Sequence, residues 1–209
     1  MGFEAQTRSL FVFIMRKVGV CLHKLPSDEY TSVSSLLRAV FIMKEKYMRV
    51  AIIMGSTSDL PKMEPAVEIL KSYGVAVDVR CLSAHRAHAG LSAFIEEANE
   101  NGTEVFITAA GMAAALPGVV ASQTVTPVIG VPLSGSVLDG MDALMSIVQM
   151  PPGIPVATVA INGGKNAAYL ALQIIAVKHP EIREKLLAHR VEMEEAAMKA
   201  NEEVSARFA

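Results

Sequence analysis

Two short polar segments of the sequence carry side chains that could bind an anion and move a proton. The first, residues 55–59 (GSTSD), places a glycine and three hydroxyl side chains directly before a segment with helical spacing. Glycine lets the backbone approach a ligand closely, and a helix N-terminus offers unpaired N–H groups and a positive dipole end. The segment therefore predicts a phosphate site in which Asp59 binds sugar hydroxyls. The alternative is an ordinary helix cap made by Ser58 or Asp59.

The second segment, residues 83–86 (SAHR), adds a titratable group to a second anion-binding pair. Ser83 and Arg86 can hold a phosphate together, because arginine supplies a fork of charged donors. His85 stands between them, and histidine is the side chain that ordinarily exchanges protons near neutral pH. We therefore expect His85 to act in proton transfer, the alternative being that it caps the next helix or is simply exposed.

A third segment, residues 110–118, contains no titratable side chain. It can offer only backbone N–H groups and a small apolar surface, which suit a flat ring or a small neutral molecule such as carbon dioxide. The alternative is a packing loop.

The elements around these segments alternate between strand and helix. Apolar runs predict strands at 49–54, 75–82, 104–109, 127–131 and 156–161, and helical spacing predicts helices at 60–73, 89–101, 118–123, 139–149, 167–177 and 180–205. This alternation predicts right-handed βαβ units and a parallel, doubly wound α/β sheet. Ligands bind at the carboxyl ends of such strands, where all three segments lie.

The last helix carries an apolar stripe on a charged segment. The stripe consists of Ile182, Leu186, Leu187, Val191, Met193, Ala196, Ala197 and Val204. Such a stripe packs either on a neighbouring subunit or within the domain, and the spacing does not distinguish the two.

Composition excludes several classes of protein. With 52% hydrophobic residues, 5% aromatic residues and a net charge of -2, the chain resembles neither a disordered segment nor a nucleic-acid-binding arm. Cys21 and Cys81 lie far apart without a ligand-like spacing, so we expect neither a disulfide framework nor a metal site. The most apolar stretch, residues 105–122, is interrupted by Gly111 and Pro117, which argues against a membrane span.

Residues 1–47 differ from the rest of the chain, with seven basic and four acidic side chains. They are interpreted as a leader or extension, separate from a domain at 48–209. Three readings remain open: an organellar transit segment, a leader translated from upstream of the true start, or an amphipathic element packed on the domain. We expect a cytoplasmic protein, with import into an organelle as the alternative.

Six segments, in order, resemble the PurE family of purine biosynthesis. They read GSTSD, SAHR, AAGMAAALPG, GVPLSGS, SIVQMPPGIPVATVAIN and KNAAYLALQI. The resemblance implies a flavodoxin-like, three-layer α/β/α subunit with a long C-terminal helix, assembled into a homo-octamer. It also implies conversion of N5-carboxyaminoimidazole ribonucleotide to the 4-carboxy isomer without metal, ATP or organic cofactor. The implied partner is therefore a small ribonucleotide, not nucleic acid or membrane.

The resemblance assigns roles to seven residues. The positions that hold the 5′-phosphate in the family match Ser58, Ser83 and Arg86, and the position that binds the ribose hydroxyls matches Asp59. The ring and its carboxylate are bound at positions that match Ser56 and the Gly111 loop, and the catalytic histidine of the family matches His85.

The chain departs from the family pattern at two places. Ala115 stands where the family loop AAHLPG has a histidine, and Ala87-His88 follow SAHR where Thr-Pro is usual. Three functions follow as alternatives: the mutase, a direct carboxylase of aminoimidazole ribonucleotide that uses carbon dioxide, and a ribonucleotide-binding homologue with impaired catalysis.

Overall fold

The structure, a computed structural model, describes residues 48–135 and 137–208. Its strands are β1 (Arg49–Met54), β2 (Ala76–Cys81), β3 (Val105–Ala110), β4 (Val128–Pro132) and β5 (Ala157–Thr158). Its helices are α1 (Leu60–Ser72), α2 (His88–Glu100), α3 (Ala115–Ala121), α4 (Met141–Val148), α5 (Gly164–Ile175) and α6 (Pro180–Ala206), with a 3₁₀ turn at Thr57–Asp59. The predicted alternation of strands and helices is confirmed.

The five strands form one parallel sheet in the order β2-β1-β3-β4-β5. β1 pairs with β2 from Arg49 opposite Ala76, and with β3 from Val50 opposite Val105. This is the strand order of flavodoxin-like folds, in which ligands bind beyond the carboxyl ends of β1 and β3. The predicted fold class is therefore confirmed.

Two hydrophobic clusters cover the two faces of the sheet. On one face α1, α5 and the start of α6 pack against alternate residues of β1 and β3, such as Ile52 and Ile107. On the other face α2, α3 and α4 pack against the intervening residues, such as Ile53 and Phe106. Successive side chains of a strand point to opposite faces, so a strand covered on both sides must be apolar throughout. The result is a three-layer α/β/α unit.

Three elements differ from the sequence prediction, one of them being α5, which begins at Gly164 rather than at residue 167. The helix expected at 118–123 begins earlier, as α3, because Ala114 adopts a left-handed conformation with φ 40° at its N-cap. Pro117 then lies in the first turn, where its missing N–H costs no hydrogen bond. The strand expected at 156–161 is wrong in length, since β5 pairs with β4 through Ala157 and Thr158 alone.

The C-terminal helix α6 buries Ile182 and leaves most of the predicted stripe exposed. Its exposed large apolar side chains are Leu187, Val191, Met193, Met198 and Val204, followed by Phe208 beyond the helix. Among the described residues, no helix is long and apolar enough to cross a membrane. The predictions for residues 1–47 and for Cys21 lie outside the described residues.

Candidate active site

A cleft of about 540 Å³ lies at the carboxyl ends of β1, β2, β3 and β4. It is lined by the loop after each of these strands, including Gly55, Ser83, Gly111 and Ser134. Its volume falls in the range of about 300–1,000 Å³ that is common for small-molecule sites.

The loop after β1 forms a compact polar turn. Ser56 caps the 3₁₀ turn, and its hydroxyl oxygen accepts from the N–H (3.3 Å) and the hydroxyl (2.9 Å) of Ser58. The Asp59 carboxylate in turn accepts from the N–H of Ser56 at 3.1 Å. Asp59 stands at the N-cap of α1, but its side chain makes no capping bond to that helix. The capping alternative therefore holds for Asp59 in part: it occupies the N-cap position of α1, and its carboxylate completes a capping box with Ser56 around the 3₁₀ turn.

The loop after β2 holds Arg86 against two neighbours. Its Nε donates to the Ser83 hydroxyl and its Nη2 to the Gly55 carbonyl oxygen, both at 3.4 Å. The guanidinium thus joins the first two loops of the cleft while remaining exposed.

His85 is exposed and lines the same cleft. It does not cap the next helix, because the N-cap of α2 is Ala87. Among the described residues it has no hydrogen-bond partner, so both ring nitrogens are available to a ligand. His88 is the first residue of α2 and does not line the cleft.

The loop after β3 supplies a wall without titratable groups. Met112 and Ala114 both have positive φ angles, 56° and 40°, which turn the chain sharply between β3 and α3. A Cβ at Gly111 would lie 3.3 Å from the Leu133 carbonyl oxygen, so glycine allows the loop to lie close to the end of β4. Ala115 lines the cleft and is half-buried.

The surroundings of the Asp59 carboxyl in the cleft shift its pKa. Burial raises the pKa of its carboxyl above the ordinary value, and the Ser56 N–H, the positive charge of Lys62 and the Ser58 hydrogen bond oppose that rise. A carboxyl group with a perturbed pKa in a cleft is a candidate member of a functional site.

All seven residues selected from the sequence line this cleft. Lys62 and Ser134 also line it and were missed by sequence reasoning. The signal for Ser134 was present, since it follows β4 as the other loops follow their strands. Lys62 had no such signal, because it lies inside α1 and reaches the cleft through its side chain.

Comparison with known proteins agrees with this geometry. The family model described as AIR carboxylase matches residues 49–196. The chain is 54% identical to an N5-carboxyaminoimidazole ribonucleotide mutase of Pyrococcus abyssi over 145 residues, which cover 69% of this chain and 83% of that protein. It is 52% identical to a mutase of the same description from Methanocaldococcus jannaschii over 160 residues, 76% of this chain and 99% of that protein.

A solved structure agrees with these relatives. The crystal structure of Treponema denticola PurE superposes with a TM-score of 0.65 at 32% identity, covering 74% of this chain and 94% of that one. The chain belongs to the AIR carboxylase (PurE) family.

Proposed function

We propose that this protein is an enzyme of purine biosynthesis that isomerises N5-carboxyaminoimidazole ribonucleotide to 4-carboxyaminoimidazole ribonucleotide. The observation that carries the proposal is the composition of one cleft. An exposed histidine, a serine–arginine pair and a half-buried aspartate face it from two adjacent loops, and an uncharged wall closes it from a third. The high identity to named mutases supports the same substrate.

The phosphate binds between the first two loops. Arg86 already touches the Ser83 hydroxyl, so a phosphate placed at its guanidinium is within reach of both side chains. Ser58 faces the same space from the loop after β1. Charge-assisted hydrogen bonds from arginine to phosphate are about twice as strong as neutral ones, so this end of the cleft anchors the substrate.

The ribose and the ring bind further along the cleft. The Asp59 carboxylate accepts hydrogen bonds from the ribose hydroxyls, with its orientation fixed by the Ser56 N–H. Ser56 and the loop that begins at Gly111 contact the aminoimidazole and its carboxylate.

The reaction moves a carboxyl group between two atoms of the substrate. The bond between N5 and the carboxyl carbon breaks, carbon dioxide leaves, and its bonding electrons stay on nitrogen, which takes up a proton. The electron-rich C4 of the ring then attacks the carbon dioxide. Protonated His85 donates the proton that nitrogen takes up, and the neutral imidazole then accepts the proton from C4, which restores both the aromatic ring and the starting state of His85.

The uncharged wall at residues 111–115 serves to retain carbon dioxide. Carbon dioxide that escapes, or reacts with water, ends the turnover before C4 is carboxylated. A wall of small apolar side chains and backbone excludes water next to the ring.

Ala115 favours a second candidate, a direct carboxylase that combines aminoimidazole ribonucleotide with carbon dioxide. The residue lines the cleft without an imidazole, whereas the mutase pattern has a histidine there. A ribonucleotide-binding protein with impaired catalysis would share the same feature.

A product assay separates the three. The purified protein receives N5-carboxyaminoimidazole ribonucleotide, or aminoimidazole ribonucleotide with bicarbonate, in the absence of ATP. The 4-carboxy product is then followed by absorbance. We expect product from the first substrate. Product from the second alone would assign the carboxylase, and binding without product from either would assign the binding protein.

A variant connects the activity to the cleft. His85→Asn should lower kcat by at least about 100-fold while leaving ribonucleotide binding in place, because it removes the proton acceptor and keeps a polar side chain. Retained turnover in this variant would remove His85 from the mechanism.

We also propose that the protein assembles into a homo-octamer. Leu187, Val191 and Val204 are each more than half exposed on α6, and an exposed apolar stripe on a long helix is typical of a subunit contact. Light scattering after size-exclusion chromatography should give the octamer mass. Replacing Leu187 and Val191 with Glu should lower the measured mass. A wild-type protein with the mass of a monomer would refute the proposed octamer.

A further inference from the structure

Lys62 is a second basic group of the cleft, and the proposed mechanism leaves it without a role. It lies in the first turn of α1 and is half-buried. Its Nζ donates to the Ser134 carbonyl oxygen at 2.7 Å and lies 3.4 Å from the Ser134 hydroxyl oxygen. Since Ser134 and Gly135 form the wall of the cleft beyond β4, Lys62 joins the helix that follows the first loop to the opposite wall.

Ser134 is fixed from two further directions. Its N–H donates to Asn162 Oδ1 at 3.1 Å, and Asn162 Nδ2 donates to its hydroxyl oxygen at 2.8 Å. Gly140, which has a φ of 92°, lies so close that an added Cβ would be 3.2 Å from the Ser134 nitrogen. We call Lys62, Ser134 and Asn162 the Ser134 clamp.

The two supports of the clamp are themselves held together. At Gly164, the first residue of α5, an added Cβ would lie 2.7 Å from the Lys62 carbonyl oxygen. The starts of α1 and α5 are therefore in direct backbone contact, and Asn162 lies two residues before that contact. Lys62 and Asn162 approach Ser134 from one packed unit.

We propose that Lys62 is a positioning residue that holds the Ser134–Gly135 wall at the distance the bound ribonucleotide requires. This inference rests on the proposed function for its effect on turnover. A charged donor on a carbonyl oxygen gives a strong hydrogen bond where both groups are partly removed from water. Without it, the bonds to Asn162 are the only side-chain hydrogen bonds that Ser134 keeps among the described residues, and the wall is free to move away from the cleft.

The charge of Lys62 has a second consequence at the same place. It opposes the rise that burial causes in the pKa of Asp59, and so it favours the carboxylate. The carboxylate form is the one that accepts hydrogen bonds from ribose hydroxyls at both oxygens.

Four variants of the full chain test the proposal. Lys62→Met keeps most of the aliphatic stem and removes the charge, whereas Lys62→Arg keeps a charged donor. Asn162→Gly removes the other support, and glycine adopts the left-handed φ of 57° at this position without strain. Lys71→Met is the matched control, because Lys71 is an exposed lysine on the same helix, away from the cleft.

The first measurement is hydrogen exchange of the peptide that contains Ser134 and Gly135, in the free protein. We expect exchange in this peptide to rise by about tenfold in Lys62→Met and in Asn162→Gly, and to stay at the wild-type rate in Lys71→Met. Lys62→Arg should recover most of the protection.

The second measurement is ribonucleotide binding and turnover. Lys62→Met should raise the KM for N5-carboxyaminoimidazole ribonucleotide and the Kd for aminoimidazole ribonucleotide by about tenfold, with a smaller change in kcat, since the clamp places a wall and touches no reacting atom. In the double variant of Lys62→Met and Asn162→Gly, the Kd should rise by less than the product of the fold-changes in the two single variants, because both supports act on Ser134.

Each outcome bears on one claim. A higher KM in Lys62→Met with wild-type exchange at Ser134–Gly135 would overturn the positioning role and assign a direct contact with substrate. Unchanged exchange and unchanged KM would overturn the proposal altogether. Because exchange is measured without substrate, a wild-type protein without turnover would refute the proposed function and leave the clamp to be decided by exchange and by binding.

Discussion

Arg86→Met tests the proposed phosphate site directly, because it removes the guanidinium and keeps much of the side chain's length. In the free protein Arg86 is exposed, and its two hydrogen bonds, to Ser83 and to Gly55, are long at 3.4 Å. Such bonds contribute little, so we expect the free energy of unfolding to change by about 0.5 kcal/mol or less. Any large effect of the variant must then arise in the complex with substrate.

The expected size of that effect follows from the hydrogen bonds that a phosphate would receive. A guanidinium fork makes two charge-assisted bonds to phosphate, each contributing about 1.5–3 kcal/mol. Arg86 is open to solvent, and Ser58 and Ser83 remain in the variant, so we take the low end for both bonds. The loss is then about 3 kcal/mol, or about 150-fold in kcat/KM.

The assay compares aminoimidazole ribonucleotide with the nucleoside that lacks its phosphate. In the wild-type protein the nucleotide should bind far more tightly, and in Arg86→Met this preference should shrink by about 150-fold while the Kd of the nucleoside stays the same. Arg80→Met is the control, because Arg80 is an exposed arginine of β2 that pairs with Asp78 and lies over the Phe94 ring, outside the cleft.

Two results would refute this reasoning. If the preference for nucleotide over nucleoside changes by less than about threefold in Arg86→Met, the phosphate lies elsewhere. If Arg80→Met shows the same loss, the effect reflects the overall charge of the protein rather than a bond from Arg86.

Three further predictions concern Asp59, Ala115 and Gly130. Burial raises the pKa of the Asp59 carboxyl, so the folded protein binds a proton there more tightly than the unfolded chain does. The resulting contribution to the free energy of unfolding is fully present below pH 3.8 and is lost as the pH rises through the pKa of the folded protein. Asp59→Asn should therefore unfold at a higher temperature than wild type at pH 7, with a difference that shrinks toward pH 4, and equal stability at pH 7 would contradict this. Ala115→His should raise kcat/KM in the product assay, by up to about 100-fold; an unchanged value would mean that the cleft needs no second imidazole. Gly130→Ala should lower the free energy of unfolding in urea by about 1–3 kcal/mol, because the added Cβ would lie 2.5 Å from Ile147 Cγ2 and 2.9 Å from Val156 Cγ1; a loss under about 0.5 kcal/mol would show that α4 can move away.

The sequence predicts four strands well and the edge strand β5 poorly. β1, β3 and β4 are covered on both faces, so a continuous apolar run identifies each within one residue at either end. The run at 156–161 looks the same in sequence. It pairs with β4 at two residues only, and beyond them the Ser134 N–H donates to the side chain of Asn162. That contact joins residues 28 positions apart, and no local pattern reports it.

The residues of the candidate site likewise include some that the sequence predicts and some that it does not. Residues of the first two loops could be found because their chemistry and their place after a strand are both local properties of the sequence. Lys62 reaches Ser134 across 72 positions of sequence, and it does so because Gly164 lets α5 lie against the backbone of α1. A charged residue in the first turn of a helix is usually solvated, so its role depends on helix packing, which the sequence pattern does not contain.

The place of the cleft follows from the order of the strands. After β1 the chain turns to the face of the sheet covered by α1 and α5, and after β3 it turns to the face covered by α2, α3 and α4. Because β1 and β3 are neighbours, their loops diverge and leave a crevice between them. The polar loop at Ser56 lies on one side of this crevice and the uncharged loop at Gly111 on the other. Under the proposed function, the phosphate and ribose of the substrate lie toward the polar side of the crevice and its ring lies against the uncharged loop, where carbon dioxide would be retained.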